Sequence, residues 1–292
     1  MFGNSVAQAF VLLSSCYHNL SKYESSQHAA ERAYAISRSH GFRQESIHGL
    51  AQSDEALRMQ LYPNLPVPRP WSPVRALRYA LLMVRFALDV FRIERLSRSL
   101  GNDQGGLSSQ SPRHVALEHR IRLYAMLQGA LRSALGSEWP SRLLDRYWAW
   151  IWRESYRVGY AAGIANALQY RDRLARRAAP REEHQEVDIT EIVSAIEVYQ
   201  FINHRNGLAL ALRDQADTVL AHGRADQAAT LYARCVELAR VDENASVELK
   251  GLLGLRRCGE RIDAHRVEHL LNSIEGDGYR QMRKALTRFV AG

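Results

Sequence analysis

The sequence predicts an all-α fold of helical hairpins, and three observations carry that reading. Apolar residues recur at intervals of three and four along nearly the whole chain, which is helical spacing. Strand-like alternation is nearly absent. The interruptions fall at segments no helix can cross: YPNLPVPRPWSP at 62–73 holds five of the eight prolines, and GNDQGGLSSQSP at 101–112 is a Gly/Ser loop.

Taken in order, helices are expected near 5–20, 24–40 and 43–60, the first two joined by the tight turn LSK and the second stopped by Gly41. A fourth, near 73–99, starts from Ser72 before Pro73, and a fifth, near 113–135, from Ser111 before Pro112. Each reads as a capping hydroxyl with proline at the first helical position. A sixth is expected to run unbroken over 139–177, between stops at Gly101 and Gly136 upstream and AAPREEHQEVD at 178–188 downstream. Asp188 with Glu191 reads as a capping box opening a seventh at 189–205, ended before Gly207. Helices near 208–221, 225–240, 245–257, 261–274 and 277–290 complete the chain.

Composition divides the chain into three parts. Residues 1–61 are neutral, 62–181 hold 20 basic against 8 acidic groups, and 182–292 hold 14 against 18. The whole excess of the +8 net charge therefore sits in the middle segment. The expected domains are an N-terminal hairpin unit at 1–61, a basic aromatic-rich middle at 62–181 and a C-terminal repeat unit at 182–292. No long uncharged apolar run exists, so no membrane span is expected, and the N-terminus lacks the basic start of a signal peptide. Three cysteines, odd in number and far apart, suit a reducing compartment, and the cytoplasm is the expected location.

An internal repeat appears at an offset of 202 residues, where residues 7–40 align with 209–242. Phe10 meets Leu212, Ser14 meets Ala216, Ser26 meets Ala228 and Ala33 meets Cys235. Both copies read as two amphipathic helices of about 14 residues. Small residues at 14, 26 and 33 let antiparallel helices approach, while Phe10, Tyr17 and Tyr23 fill the grooves beside them. Ala33→Trp should accordingly disrupt the first hairpin. With Tyr17 and the CY..L..YE phrase, this pattern resembles the tetratricopeptide repeat, a 34-residue helix–turn–helix unit. A weaker third unit runs from about 245 to 275. The resemblance implies a concave surface lined by the first helix of each unit and holding a protein segment. Its expected residues are Gln8, Val11, Ser15, His18 and Asn19 in one copy and Leu210, Arg213, Asp217 and Leu220 in the other.

The middle segment holds two further patterns. Arg78, Arg85 and Arg92 stand seven apart on SPVRALRYALLMVRFALDVFRIERL, whose Leu81, Leu82, Val84, Phe86, Leu88 and Phe91 make a helix apolar enough to be buried. In RLLDRYWAWIWRESYRVGY, Trp148, Trp152, Tyr156 and Tyr160 step by four and are expected to lie in core or interface. Arg142, Arg146, Trp150, Arg153 and Arg157 form another face, suited to phosphate contact and base stacking.

Catalytic patterns are weak. His265-Arg-Val-Glu268-His269 matches H-x-x-E-H, but only 23 residues follow, too few for the further carboxylate such zinc peptidases need. No phosphate loop, dinucleotide fingerprint or nucleophile elbow is present. Cys16 and Cys235 fall at packing positions of the repeat. The expected function is therefore a non-enzymatic adaptor that binds a protein partner within a larger assembly, or a homo-oligomer, with no cofactor and no metal. The alternative is a nucleic-acid-binding subunit that uses the central Arg/Trp face.

Overall fold

The structure, a computed structural model, describes residues 2–61, 73–100, 111–135, 141–178 and 190–276, together with Tyr279 and Arg283. All regular structure among them is helical: α1 (Phe2–Asn19), α2 (Tyr23–Ser39), α3 (Arg43–Leu61), α4 (Pro73–Leu100), α5 (Pro112–Leu135), α6 (Ser141–Arg157), α7 (Ala161–Ala178), α8 (Thr190–Phe201), α9 (Arg205–Ala221), α10 (Ala225–Val241), α11 (Ala245–Arg257) and α12 (Ala264–Ser273). The fold is an all-α repeat of helical hairpins. The chain divides into two compact units, one of residues 1–128 with 273–283 and the other of 129–272 with 284–292.

One turn recurs among the described residues. In six places three residues link consecutive helices and the middle one is left-handed: Ser21, Gly41, Gly159, Asn203, Gly223 and Glu243, with φ between 52° and 77°. Gly259, at φ 89°, closes α11 in the same way ahead of a longer link to α12. In each, the amide after the left-handed residue reaches back to a carbonyl five residues earlier, as in Lys22 N to Tyr17 O at 2.7 Å and Asn244 N to Ala239 O at 2.8 Å. This is the Schellman closure, and it satisfies carbonyls a helix end would otherwise strand. Ser21 and Gly41 lie 20 residues apart, as do Asn203, Gly223 and Glu243. The offset of 202 superposes Ser21 on Gly223 and Gly41 on Glu243.

The spacing corrects the expected helix length. Helices α2, α9 and α10 each have 17 residues, not about 14, so a hairpin with both turns occupies 40 residues. The unbroken helix expected at 139–177 is also two helices, because Gly159 at φ 67° closes a turn between α6 and α7. Gly207 is not a stop. It lies within α9, where a Cβ would come within 2.5 Å of the Tyr199 ring, so glycine is what lets α8 and α9 meet. Proline starts α4 and α5 as expected, and the Ser111 hydroxyl accepts from His114 N at 3.3 Å. Asp188, Gly101, Gly136 and most of 277–290 lie outside the described residues.

In the first unit α1 packs on α2, α2 on α3, α3 on α4, and α1 also touches α3. The small residues sit at the crossings. Ser14 and Ser26 are fully buried; Ser14 Oγ donates to Ser26 O at 2.8 Å, and Ser26 Oγ donates to Ser14 O at 3.0 Å. Ala216 and Ala228 occupy the matching crossing in the second unit, equally buried. Farther along, a Cβ on Gly49 would lie 2.9 Å from the Tyr34 backbone nitrogen, so α2 and α3 are close to backbone contact. Ile47, Leu50 and Ala51 of α3 form a core with Ile93 of α4 and Val115 and Ala116 of α5. Helix α4 is only half in that core. Leu82 and Phe86 are buried as expected, but Leu81, Val84, Leu88 and Phe91 are exposed. Two apolar faces on one helix read in sequence like a helix buried all round.

The last described residues return to the start of the chain. Lys22, the N-cap of α2, makes no side-chain cap bond. Instead the Glu275 carboxylate accepts from Ser25 N at 3.0 Å and from Ser25 Oγ at 3.2 Å. Glu275 N donates to Ser21 O at 3.1 Å, and buried Tyr279 stacks on Tyr23 at 6.1 Å. Gly276, at φ 125°, brings this strap within 2.9 Å of Gln60 Cα as measured from an added Cβ.

Four variants have expected outcomes in urea titrations. Glu243→Gly should stabilise by about 0.5–1 kcal/mol by removing left-handed strain at an exposed site, whereas Gly223→Ala, which meets no atom, should cost about 1 kcal/mol from the backbone alone. Gly276→Ala should cost about 1–3 kcal/mol, and Glu275→Ala about 1 kcal/mol as a lost cap; unchanged midpoints in both would mean that the strap does not hold α2.

Candidate protein-binding surface

In the second unit the first helices of successive hairpins meet. Helix α7 touches α9, and α9 touches α11, while α8 packs on α7 and α9 and α10 packs on α9 and α11. Polar rungs cross between the touching helices. Gln169 Nε2 of α7 donates to Asp214 Oδ2 of α9 at 2.6 Å. Asn244, the N-cap of α11, donates through Nδ2 to Asn206 Oδ1 of α9 at 3.3 Å. Arg257 of α11 reaches Asp217 Oδ1 of α9 at 2.6 Å, and Tyr232 OH of α10 donates to the same oxygen at 2.6 Å. The first unit has the same construction: Gln8 Nε2 donates to Glu45 Oε1 at 3.0 Å and Gln52 Nε2 to Ser15 Oγ at 2.5 Å, both across 37 residues from α1 to α3.

The expected surface residues therefore divide. Gln8, Ser15 and Asp217 hold rungs between neighbouring first helices. Val11 and Arg213 are buried, Leu210 and Leu220 are half-buried against the apolar clusters, His18 is half-buried edge-on to Tyr23, and Asn19 is exposed. Arg213 is the densest point. Its Nη2 donates to Asp214 Oδ1 at 2.7 Å, while its Nε and Nη1 are buried without a hydrogen-bond partner. Burial opposes its charge, but Asp214 and Asp217 outweigh that and raise its pKa above the ordinary guanidinium value. Beside it, burial pushes the Cys235 thiol up to about 12, so it stays protonated and is a poor nucleophile. Burial and the adjacent Asp217 carboxylate raise the Tyr232 phenol, which keeps it a donor. Cys16 departs from the expected packing position and is exposed.

Helix α11 is buried along its whole first part, residues 245–254, including Glu248. Arg240 Nε of α10 donates to Glu248 Oε1 at 2.8 Å, and Arg266 of α12 spans both oxygens at 3.0 and 2.6 Å. Burial alone would raise this carboxyl; the bonds from Arg266 and Arg240 outweigh it and hold the pKa below its ordinary 4.5.

The central face is placed as follows. Arg146, Arg153 and Arg157 are exposed, Arg157 pairs with Glu154, and Trp150 is half-buried with its ring 5.7 Å from Tyr147. The side chain of Arg142 lies outside the described residues. The aromatic row expected in core or interface splits: Trp148 and Tyr160 are buried, with Trp148 stacked on Tyr170 at 5.5 Å, whereas Trp152 and Tyr156 are exposed and stacked at 5.9 Å. Steps of four turn 40° beyond a full helical circle, and Tyr160 lies past the end of α6 behind the left-handed Gly159, so the four do not share one face. His265, Glu268 and His269 are exposed on α12, and among the described residues no group of three metal-ligating side chains converges.

One buried polar group had no signal in the sequence. Asp54 of α3 accepts from Arg85 Nε of α4 at 2.8 Å and pairs with His119 Nε2 of α5 at 3.0 Å, and the His119 ring stacks on Phe86 at 4.4 Å. Burial and then the nearby Asp54 raise the Asp89 carboxyl, which Arg92 contacts at 2.7 Å. These partners lie 31 and 65 residues from Asp54. Nothing short of the fold brings them together. Their work is to join three helices.

No protein-family model matches the chain, and no curated protein matches it. Among the described residues no helix is long and apolar enough to cross a membrane.

Glu248→Gln tests the electrostatics. The folded pKa is lowered, so the carboxylate stabilises the fold above its ordinary 4.5, and that contribution is lost as pH falls through the folded value. The variant should be about 1–2 kcal/mol less stable than wild type at pH 7, and the gap should close progressively in acid. A gap independent of pH would exclude the two arginines as its source.

Proposed function

We propose that the chain is a tetratricopeptide-like adaptor whose first-helix surface holds a segment of a protein partner. The observation that carries this reading is the direct succession α7, α9, α11, which sets side chains of consecutive hairpins side by side at a regular interval. Each unit taken by itself offers such a row to an extended segment, through His18 and Asn19 in the first and through Leu210 and Leu220 in the second. In this reading the chain works as a cytoplasmic non-enzymatic scaffold.

A second reading rests on α6. Trp152 and Tyr156 stack in the open, with Arg153 and Arg157 exposed beside them, and stacked rings next to guanidinium groups suit single-stranded nucleic acid. One experiment separates the two. A photo-crosslinking amino acid is placed at Leu210, at Trp152 or at Arg234 on the exposed face of α10 in the host cell. The adaptor reading expects a protein adduct from Leu210 and none from Arg234. Adducts to nucleic acid from Trp152, with Leu210 silent, would replace it with the second reading.

A further inference from the structure

Helix α4 has a second apolar face that nothing in the described structure covers. Leu77, Leu81, Val84, Leu88 and Phe91 are 61, 61, 58, 53 and 72 % exposed. Their spacing is four, three, four, three, the seam of a coiled coil, and it runs in line for roughly 20 Å at about 1.5 Å per residue. Isolated exposed leucines are ordinary; five large apolar side chains in register are not.

The borders of the seam identify what fits it. One edge carries Arg78, Arg85 and Arg92, and the other carries Ala80 and Ala87. Arg85 is held inward by Asp54, but Arg78 is exposed, and Arg92, which gives one Nη to Asp89 at 2.7 Å, keeps its side chain 59 % exposed. The apolar strip is one seam wide, narrower than the broad face with which a helix lies on lipid. A second copy fits poorly as well. Antiparallel two-fold pairing about Arg85 would set Arg78 against Arg92 and Arg85 against itself, a row of like charges. Parallel pairing would set the arginine edge against the alanine edge, with no acid to meet it. An acidic helix suits both edges, since alanines permit close approach and carboxylates answer the guanidinium groups.

We propose that α4 docks an amphipathic helix of a partner protein, with an apolar heptad seam against Leu77 to Phe91 and Glu or Asp along the edge facing Arg78 and Arg92. This surface is distinct from the first-helix ribbon, so an adaptor using both would join two partners.

The test uses the full chain and a fluorescein-labelled synthetic peptide of about three heptads, with Leu at both seam positions and Glu at both flanking positions. The flanking charges keep the peptide from pairing with itself. Anisotropy should show saturable binding, circular dichroism should show helix gained on mixing, and a peptide with Lys in place of Glu should bind at least about tenfold more weakly. Leu81→Glu with Leu88→Glu should abolish binding without lowering the thermal midpoint, because both side chains are exposed. Arg78→Glu with Arg92→Glu should reverse the preference between the two peptides, which keeps the test valid even if the first variant folds poorly. Equal binding of both peptides, or binding that survives both variants, overturns the proposal. So does a dimer in sedimentation, or flotation with phosphatidylserine vesicles, that the leucine variant removes, since each would give the seam to another occupant.

Discussion

The left-handed residue between consecutive helices is the constraint on which the rest of this structure depends. At six described links it closes the helix by the same pair of backbone bonds and sends the next helix back after three residues. With helix lengths of 17 residues on either side, that closure fixes which side chains face each other, and small residues are then required where the axes cross. Ser14 with Ser26 and Ala216 with Ala228 are two answers to one demand. The serines add reciprocal bonds to carbonyls; the alanines give closeness alone.

Charge is distributed by the same geometry. The first part of α11 is buried and has no solvent for its polar groups, so Glu248 takes one arginine from α10 and one from α12. Asp54 likewise draws partners from α4 and α5. Such groups contribute little net stability over apolar replacements, but they oppose wrong registers, because any slip strands a buried charge. Along the first-helix rows the bonds at Asp214, Asp217 and Glu45 serve alignment in the same way.

How far the fold could be read in the sequence follows from which forces are local. The crossings were legible because a small residue flanked by aromatic ones is a local pattern, and Pro73 and Pro112 announced their helices directly. The turn at Ser21 was legible because the chain is polar there, but the helix ends ran further than their apolar pattern, giving a 40-residue hairpin where the pattern suggested 34. Asn203 and Glu243 adopt the left-handed form without a glycine to mark it. The candidate surface was half legible. The positions of Gln8, Ser15 and Asp217 on the first helices follow from periodicity, but their bonds to Glu45, Gln52 and Arg257 depend on how far one hairpin is displaced from the next. The two-faced character of α4 and the split aromatic row of α6 were hidden because periodicity reports that a residue is apolar, not what stands opposite it.

The strap at 274–279 has a bearing on how the chain is made. Helix α2 begins at Tyr23, yet the carboxylate that caps it stands at Glu275, 250 residues beyond Ser25. During translation the first hairpin leaves the ribosome with its amide at Ser25 uncapped and its Tyr23 ring without Tyr279, and it stays so until those later residues have emerged. Closing so large a loop late carries an entropic cost that grows only with the logarithm of its length. A nascent chain stalled before Glu275 therefore displays an open start of α2 to the folding machinery.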